Sequence, residues 1–171
     1  SVYSEHAPKC DPAIFELGIP VLGICYGLQL MIHTLGGEIT RGHAREYGKA
    51  MLKIVKSGNL FLGLDGEIQV WMSHGDKVAK MPAGGFEILG SSGNTEFCAV
   101  HMPERNLYGI QFHPEVVHTP QGKTIIGNFC KNICKFFVSL SVWCKITYSF
   151  HLDHKEYISL VPLLHRFFQL F

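Results

Sequence analysis

The chain has 171 residues, of which 47% are apolar and 17% are charged, and its formal net charge is +1. This length is enough to bury the hydrophobic core of one domain. The composition excludes an intrinsically disordered chain, which combines low hydrophobicity with high net charge. Because there is no basic excess and no apolar run approaches the roughly 20 residues that span a bilayer, we expect neither a nucleic-acid partner nor a membrane span.

Strands and helices are predicted to alternate along most of the chain. A short apolar run over 20–24 is typical of a buried parallel strand. The helical spacing of apolar residues predicts a helix over 27–35, which Gly36 and Gly37 end. Further elements are predicted as strands over 50–55, 67–72, 86–90, 97–101 and 107–112, and as a helix over 121–136. This order indicates an α/β layer fold.

The composition changes near residue 136. All 18 glycines precede residue 128, whereas 137–171 contains none and is rich in apolar and aromatic residues. We therefore expect a patterned domain over 1–136 and an unrelated apolar tail of uncertain origin over 137–171. Since the chain opens on Ser1 rather than on methionine, we also expect its true start to lie upstream.

The six cysteines contain no CxxC pair, which disfavours zinc ribbons and thioredoxin-like sites. Six is a low number for a disulfide-stapled secreted domain of this size, so we expect a reducing, cytoplasmic setting. Cys130 and Cys134 lie one turn apart on the last predicted helix, where core or boundary positions are favoured over metal ligation. No metal site is expected.

The segment Gly23-Ile24-Cys25-Tyr26-Gly27 lies between a predicted strand and a predicted helix. It has the form of a nucleophile elbow, with cysteine in place of serine. The turn projects the nucleophile from the carboxyl end of the strand, and the glycines are expected to avoid collisions. The N-terminus of the following helix favours a thiolate, and its N–H groups can stabilise an oxyanion. A buried structural cysteine is the alternative interpretation.

A cysteine nucleophile requires a base, and His113 is the best placed of the ten histidines. It follows a predicted strand, and Pro114 fixes the local backbone. Glu115 lies two residues on, so in extended geometry it projects to the same side and can hold the imidazole. Cys25, His113 and Glu115 then provide a nucleophile, a base and an orienting group. Taken alone, His-Pro-Glu is more often an ordinary loop.

The segment Ser73-His74-Gly75-Asp76 follows a predicted strand and is predicted to turn at Gly75. A polar turn at a strand end can hold a small polar ligand through backbone groups, and a solvent-facing turn is the alternative. His74 is the weaker candidate base, because no carboxylate lies two residues away in the same extended run.

With these segments in order, residues 1–136 resemble the class I glutamine amidotransferases of the triad type. Gly23–Gln29 looks like their nucleophile motif and His113–Glu115 like their acid–base motif. Within the family, the sequence is most similar to the amidotransferase domain of GMP synthetases, through Ser73–Asp76, Arg45–Gly48 and Gln111–Val116. The resemblance implies a flavodoxin-like α/β fold with an open mixed sheet flanked by helices, here without its first strand and helix.

The resemblance also implies a mechanism. Cys25 attacks the side-chain carboxamide of glutamine, His113 protonates the departing ammonia, and Glu115 orients His113. A γ-glutamyl thioester forms, and water then releases glutamate. The resemblance makes the backbone N–H of Tyr26 an oxyanion donor and implies that substrate also contacts Gly27, Gln29, Ser73, His74 and Gly75.

The implied partner is the ATP pyrophosphatase domain of a full-length synthetase. In such enzymes ammonia passes to that domain, which uses ATP and magnesium to convert XMP to GMP in purine nucleotide biosynthesis. Hydrolysis of glutamine itself is expected to need no cofactor. The family's Gly-Gly-Pro loop should precede Ser1, and no phosphate loop follows Phe136, so we expect an amidotransferase domain truncated at both ends.

Three alternatives stay open. The same family can supply ammonia for carbamoyl phosphate, anthranilate or CTP synthesis, although Ser73–Asp76 and Arg45–Gly48 favour GMP. The chain can be a catalytically incompetent piece of a synthetase that keeps Cys25, His113 and Glu115 without assembling the pocket. A γ-glutamyl peptidase of the same fold also uses a Cys–His pair, but it leaves the synthetase-like segments unexplained.

Overall fold

The computed structural model describes residues 1–135, apart from the side chains of residues 43–45. Its elements in chain order are β1 (Val21–Ile24), α1 (Tyr26–Thr34), β2 (Glu38–Ile54), β3 (Glu67–Lys80), β4 (Glu87–Ser91), β5 (Ala99–Met102), β6 (Leu107–Ile110) and α2 (Gly122–Asn128). Short 3-10 turns lie at Pro12–Glu16 and Pro103–Arg105, and a π-helical turn lies at Phe129–Ile133. The predicted domain boundary at 136 and the predicted tail over 137–171 lie outside the described residues.

The strands form one mixed sheet in the order β1-β6-β5-β4-β2-β3. β1 and β6 run parallel, with Ile24 opposite Ile110, and the other neighbours are antiparallel. This is the open mixed sheet that the family resemblance implies. Because two parallel strands end at the same edge of a sheet, the residues that follow β1 and β6 are brought together there.

The sheet has a hydrophobic core on each face. On one face, α1 packs through Leu28 and Ile32 in a cluster with Leu107. On the other face, Ile125 of α2 packs in a cluster with Ile110. The strand predicted over 107–112 is present but ends two residues earlier, at Ile110, and all four residues of β6 are buried. They are buried because helices cover both faces of this strand.

β2 and β3 form a long antiparallel hairpin that extends well beyond the strands predicted at 50–55 and 67–72. The segment 73–76, predicted as a turn, lies inside β3 and pairs with β2, with Glu46 opposite His74. The register shifts next to this pair, where residues 42–45 of β2 face Gly75 alone. A glycine inside a strand often marks such a bulge, and here it does not end the strand.

Both predicted helices are present, but the second is shorter than expected. The α-helical hydrogen bonding of α2 gives way to a π-helical turn, in which the N–H of Cys134 donates to the carbonyl of Phe129 at 2.9 Å. Phe129 and Ile133, which lie in the π-helical turn, pack against the same cluster as Ile125. Within residues 1–135, no helix is long and apolar enough to cross a membrane.

Candidate active site

Cys25 occupies the sharp turn between β1 and α1. Its backbone has φ of +50° and ψ of −102°, a conformation that costs a non-glycine residue about 1–3 kcal/mol and is concentrated at functional sites. The N–H of Cys25 donates to the carbonyl of Ile110 at 2.7 Å, which ties the turn to the end of β6. The strand–turn–helix geometry of the predicted elbow is therefore present.

The two glycines of the elbow play different parts. A Cβ added at Gly23 would lie 2.7 Å from the backbone carbon of Gly27, so any side chain there would force the elbow apart. A Cβ added at Gly27 would meet no atom within 4 Å. The expectation that both glycines avoid collisions therefore holds for Gly23 only.

The Cys25 thiol lies in a partly buried, polar environment. Its Sγ is 3.7 Å from Nε2 of Gln111 and 3.7 Å from the carbonyl oxygen of Ser73. Burial raises the pKa of the thiol, hydrogen bonds from the Tyr26 backbone N–H and the Gln111 amide oppose that rise, and the charge of Glu115 adds to it. The helix N-terminus was expected to favour the thiolate, but burial has the larger effect and favours the thiol. The thiol therefore needs a base.

His113 and Glu115 form a close pair in the turn that follows β6. Nδ1 of His113 lies 2.6 Å from Oε1 of Glu115. Because an ionised carboxylate only accepts hydrogen bonds, Nδ1 carries the proton, which leaves Nε2 to exchange a proton with another group. The contact expected from the two-residue spacing is present, although Glu115 lies in a turn and not in an extended run.

Thr119 fixes the backbone of His113 onto β3. Its buried Oγ1 donates to the carbonyl of His113 at 2.6 Å and accepts from the N–H of Trp71 at 3.1 Å. A third hydrogen bond runs directly from the His113 N–H to the Trp71 carbonyl at 2.9 Å. Ser73, whose carbonyl contacts the sulfur of Cys25, lies two residues further along the same strand. Two residues of a strand span about 7 Å, so β3 holds the cysteine and the histidine at neighbouring points.

A cavity of about 520 Å³ lies beside the elbow, a volume within the usual range for small-molecule sites. Most of the substrate-binding residues implied by the resemblance line it together with Cys25, whereas Gly27, His113 and Glu115 are not among the lining residues. Arg41 and Tyr47 line it without having been predicted to do so, because they come from β2, whose pairing with β3 cannot be deduced from local sequence. The lining residues are Ser1, Tyr3, Cys25, Tyr26, Gln29, Arg41, Tyr47, Ser73, His74, Gly75 and Asp76.

A second histidine–glutamate pair lies under this cavity. Nδ1 of His74 is 3.0 Å from the carbonyl of Asp76, and Nε2 is 3.1 Å from Oε2 of Glu46. Glu46 also accepts hydrogen bonds from Oγ1 of Thr95 at 2.7 Å and from the amide of Asn94 at 3.1 Å. Burial lowers the pKa of His74 and outweighs the attraction of Glu46. Sequence reasoning missed Glu46 as a partner because it comes from another strand.

Gln111 is a further site residue to which sequence reasoning assigned no role. Its side chain is fully buried, and its Oε1 accepts from Nε2 of Gln29 at 3.2 Å. The same Nε2 donates to the carbonyl of Asp76 at 2.8 Å. Its place at the start of the family-like segment Gln111–Val116 was a signal, but the sequence did not reveal its partners, which are distant along the chain.

Known proteins show where this arrangement belongs. The family model described as glutamine amidotransferase class-I matches residues 1–133. Curated glutamine-hydrolysing GMP synthases are similar: that of Heliobacterium modesticaldum is 54% identical over 134 residues, and that of Aquifex aeolicus is 50% identical over 135. These alignments cover 78% and 79% of this chain and 26% of each relative. The chain therefore spans about a quarter of the length of the curated relatives it matches.

Solved structures are similar in fold. A GMP synthase component from Thermoplasma acidophilum superposes with a TM-score of 0.67 at 35% identity, over 71% of this chain and 60% of that chain. A glutamine amidotransferase of Thermotoga maritima gives a TM-score of 0.55 at 26% identity, over 70% of this chain and 48% of that chain. Since the family model also covers most of the chain, the chain belongs to the class I glutamine amidotransferase family.

Proposed function

We propose that the chain is the glutaminase part of a GMP synthetase, which hydrolyses glutamine to supply ammonia for the conversion of XMP to GMP. The observation that carries the proposal is that β3 holds the Cys25 elbow and the His113–Glu115 pair at neighbouring points, with a cavity beside the elbow. The choice of acceptor reaction rests on the similarity to curated GMP synthases.

In the proposed reaction, Nε2 of His113 takes the thiol proton of Cys25, because burial keeps the pKa of that thiol high. The thiolate attacks the side-chain carbonyl carbon of glutamine, and the backbone N–H of Tyr26 stabilises the oxyanion. His113 returns the proton to the amide nitrogen, so that ammonia leaves and a γ-glutamyl thioester remains. Water, deprotonated by His113, then attacks the thioester, and glutamate leaves as Cys25 recovers its proton. Glu115 holds Nδ1 of His113 throughout.

The cavity accounts for the selection of glutamine. We assign the substrate's amino-acid end to the polar wall of Gln29, Ser73, His74 and Gly75, with the guanidinium of Arg41 compensating the α-carboxylate. The reacting carboxamide then lies at the Cys25 elbow. Gly27 leaves open space on this side, so the substrate can approach the start of α1.

The proposed partner is the ATP pyrophosphatase domain of a synthetase, where ATP and magnesium activate XMP. Hydrolysis of glutamine needs no cofactor, because a thiol, an imidazole and backbone N–H groups supply its chemistry. We place the reaction in the cytoplasm, since a thiol nucleophile must stay reduced. The domain that performs it is proposed to correspond to residues 1–136.

Labelling by a diazo-ketone analogue of glutamine tests the proposal. We expect the purified 171-residue chain to gain one adduct by intact mass, mapped to Cys25 and blocked by excess glutamine. A Cys25→Ala variant should gain none, and a Cys130→Ala variant, changed at a cysteine outside the elbow, should label like the parent. Absence of labelling in a chain that is folded by circular dichroism would contradict the proposal and favour a catalytically incompetent product.

A further inference from the structure

A buried pair of amides connects β3 to the sulfur of the elbow. Gln111 is fully buried directly after β6, and its backbone N–H is fixed by the carbonyl of Cys98 at 2.8 Å. Its side chain bridges two groups: Oε1 accepts from Gln29, and Nε2 lies 3.7 Å from Sγ of Cys25. Buried carboxamides need such partners, because an amide left unpaired in the core loses its hydrogen bonds to water without replacing them.

The direction of both amides follows from a backbone carbonyl. The carbonyl of Asp76 only accepts hydrogen bonds, so the group of Gln29 that lies 2.8 Å from it must be its NH₂ end. That same NH₂ group faces Gln111, which must therefore present its oxygen to Gln29. The NH₂ end of Gln111 is then directed at the sulfur, and a flip of either amide would place like groups together.

An N–H group directed at sulfur favours the thiolate over the thiol, because the charged form is the stronger acceptor. Gln111 and the backbone N–H of Tyr26 are the two donors that lower the pKa of the Cys25 thiol. In the proposed reaction the N–H of Tyr26 must also serve the oxyanion. Gln111 is buried behind the sulfur and does not line the cavity, so its N–H group remains directed at the nucleophile.

We infer that Gln111 is a positioning residue that donates a hydrogen bond to the Cys25 thiolate and holds its direction, and that Gln29 sets the orientation of Gln111. This inference rests on the proposed role of Cys25 as the nucleophile. It gives Gln29 a structural function through Nε2 in addition to its place in the cavity wall.

The test is the pH dependence of alkylation of Cys25 by iodoacetamide, mapped by peptide mass in the 171-residue chain. In Gln111→Leu we expect the alkylation profile to move about one pH unit to the alkaline side, which lowers the rate near pH 7 about tenfold. Gln29→Leu frees the Gln111 amide to rotate and should give a smaller shift in the same direction. Gln69→Leu is the matched control: its amide donates to the carbonyl of His118 at 2.9 Å and does not touch the sulfur, so its profile should match the parent.

Gln111→Glu has nearly the same shape as the parent residue and serves where Gln111→Leu does not fold. It replaces the donor with an oxygen, so we expect an alkaline shift at least as large as that of Gln111→Leu. A profile unchanged in a folded Gln111 variant, or shifted equally in Gln69→Leu, would overturn the inference. Alkylation reports on the thiol without glutamine, so a failure of diazo-ketone labelling with the shift intact would remove the proposed function and leave the amide pair in place.

Discussion

His113 and His74 each lie beside a glutamate, but the two pairs differ in burial and in how the chain assembles them. Glu115 is two residues from His113, and their side chains are 45% and 24% exposed. Glu46 reaches His74 from the neighbouring strand, and their side chains are 11% and 5% exposed. The exposed pair is open to water and, in the proposed reaction, exchanges protons with substrate, whereas the buried pair joins two strands. Surroundings, and not residue type, decide which histidine can act as a base.

The largest effect should separate the two histidines by their kinetics. We expect His113→Asn to lower kcat for glutamine hydrolysis by about 100- to 10,000-fold, because the proposed general acid–base group is lost. His74→Asn should act mainly on KM, since His74 lies in the cavity wall. Steady-state ammonia release by each folded variant measures both constants. Equal losses of kcat in the two variants would contradict different roles for the two histidines.

The position of the exposed pair should depend on the turn that carries it. A Cβ added at Gly122 would lie 1.9 Å from the carbonyl oxygen of Pro114, so Gly122→Ala must displace the turn that holds Glu115. We expect roughly a 10- to 100-fold loss of kcat, since catalysis is sensitive to displacements of about 1 Å. In Gly127→Ala, on the same helix, the added methyl group enters open space and should leave kcat unchanged. The same loss in both variants would contradict this explanation.

We expect Glu46 of the buried pair to contribute more to stability than Glu115 of the exposed pair. Glu46→Gln leaves the hydroxyl of Thr95 or the amide of Asn94 without its carboxylate acceptor, so we expect the free energy of unfolding to fall by about 1–3 kcal/mol. Glu115→Gln changes a half-exposed side chain, and we expect a change within about 0.5 kcal/mol. Urea denaturation of both variants measures this difference. A larger destabilisation by Glu115→Gln would show that the exposed pair, and not the buried pair, stabilises the fold.

The smallest effect should appear in the pH dependence of stability. Burial lowers the pKa of folded His74 below its unfolded value of about 6.5, so the unfolded chain binds more protons between about pH 5 and 7. Stability therefore rises with pH over this window and is lost as pH falls. Burial also lowers the pKa of His101, which contributes in the same direction. Urea midpoints at several pH values should show a shallower slope in His74→Asn, and an unchanged slope would exclude His74 as a source.

The sequence predicted the parts of the site that depend on local spacing. The elbow at Cys25 and the His113–Glu115 contact both join residues that are close in the chain, so motif and periodicity were sufficient. The path of β3 through 73–76 was missed, because Gly75 has the local signal of a turn and only pairing with β2 keeps the strand extended. Glu46 and Gln111 were missed for the same reason: their partners are brought to them by the sheet.

The strained backbone at Cys25 lowers the stability of the fold at the position that the proposed reaction requires. Glycine adopts a φ of +50° without the clash that a side chain introduces, so Cys25→Gly would relieve strain in the elbow while removing the proposed nucleophile. In a lineage that no longer needs the reaction, selection does not oppose the replacement of cysteine by glycine. A lineage that needs the reaction must retain cysteine, although it is the less stable residue at this position. We therefore expect the residue at position 25 of a relative to indicate whether the proposed reaction is still under selection.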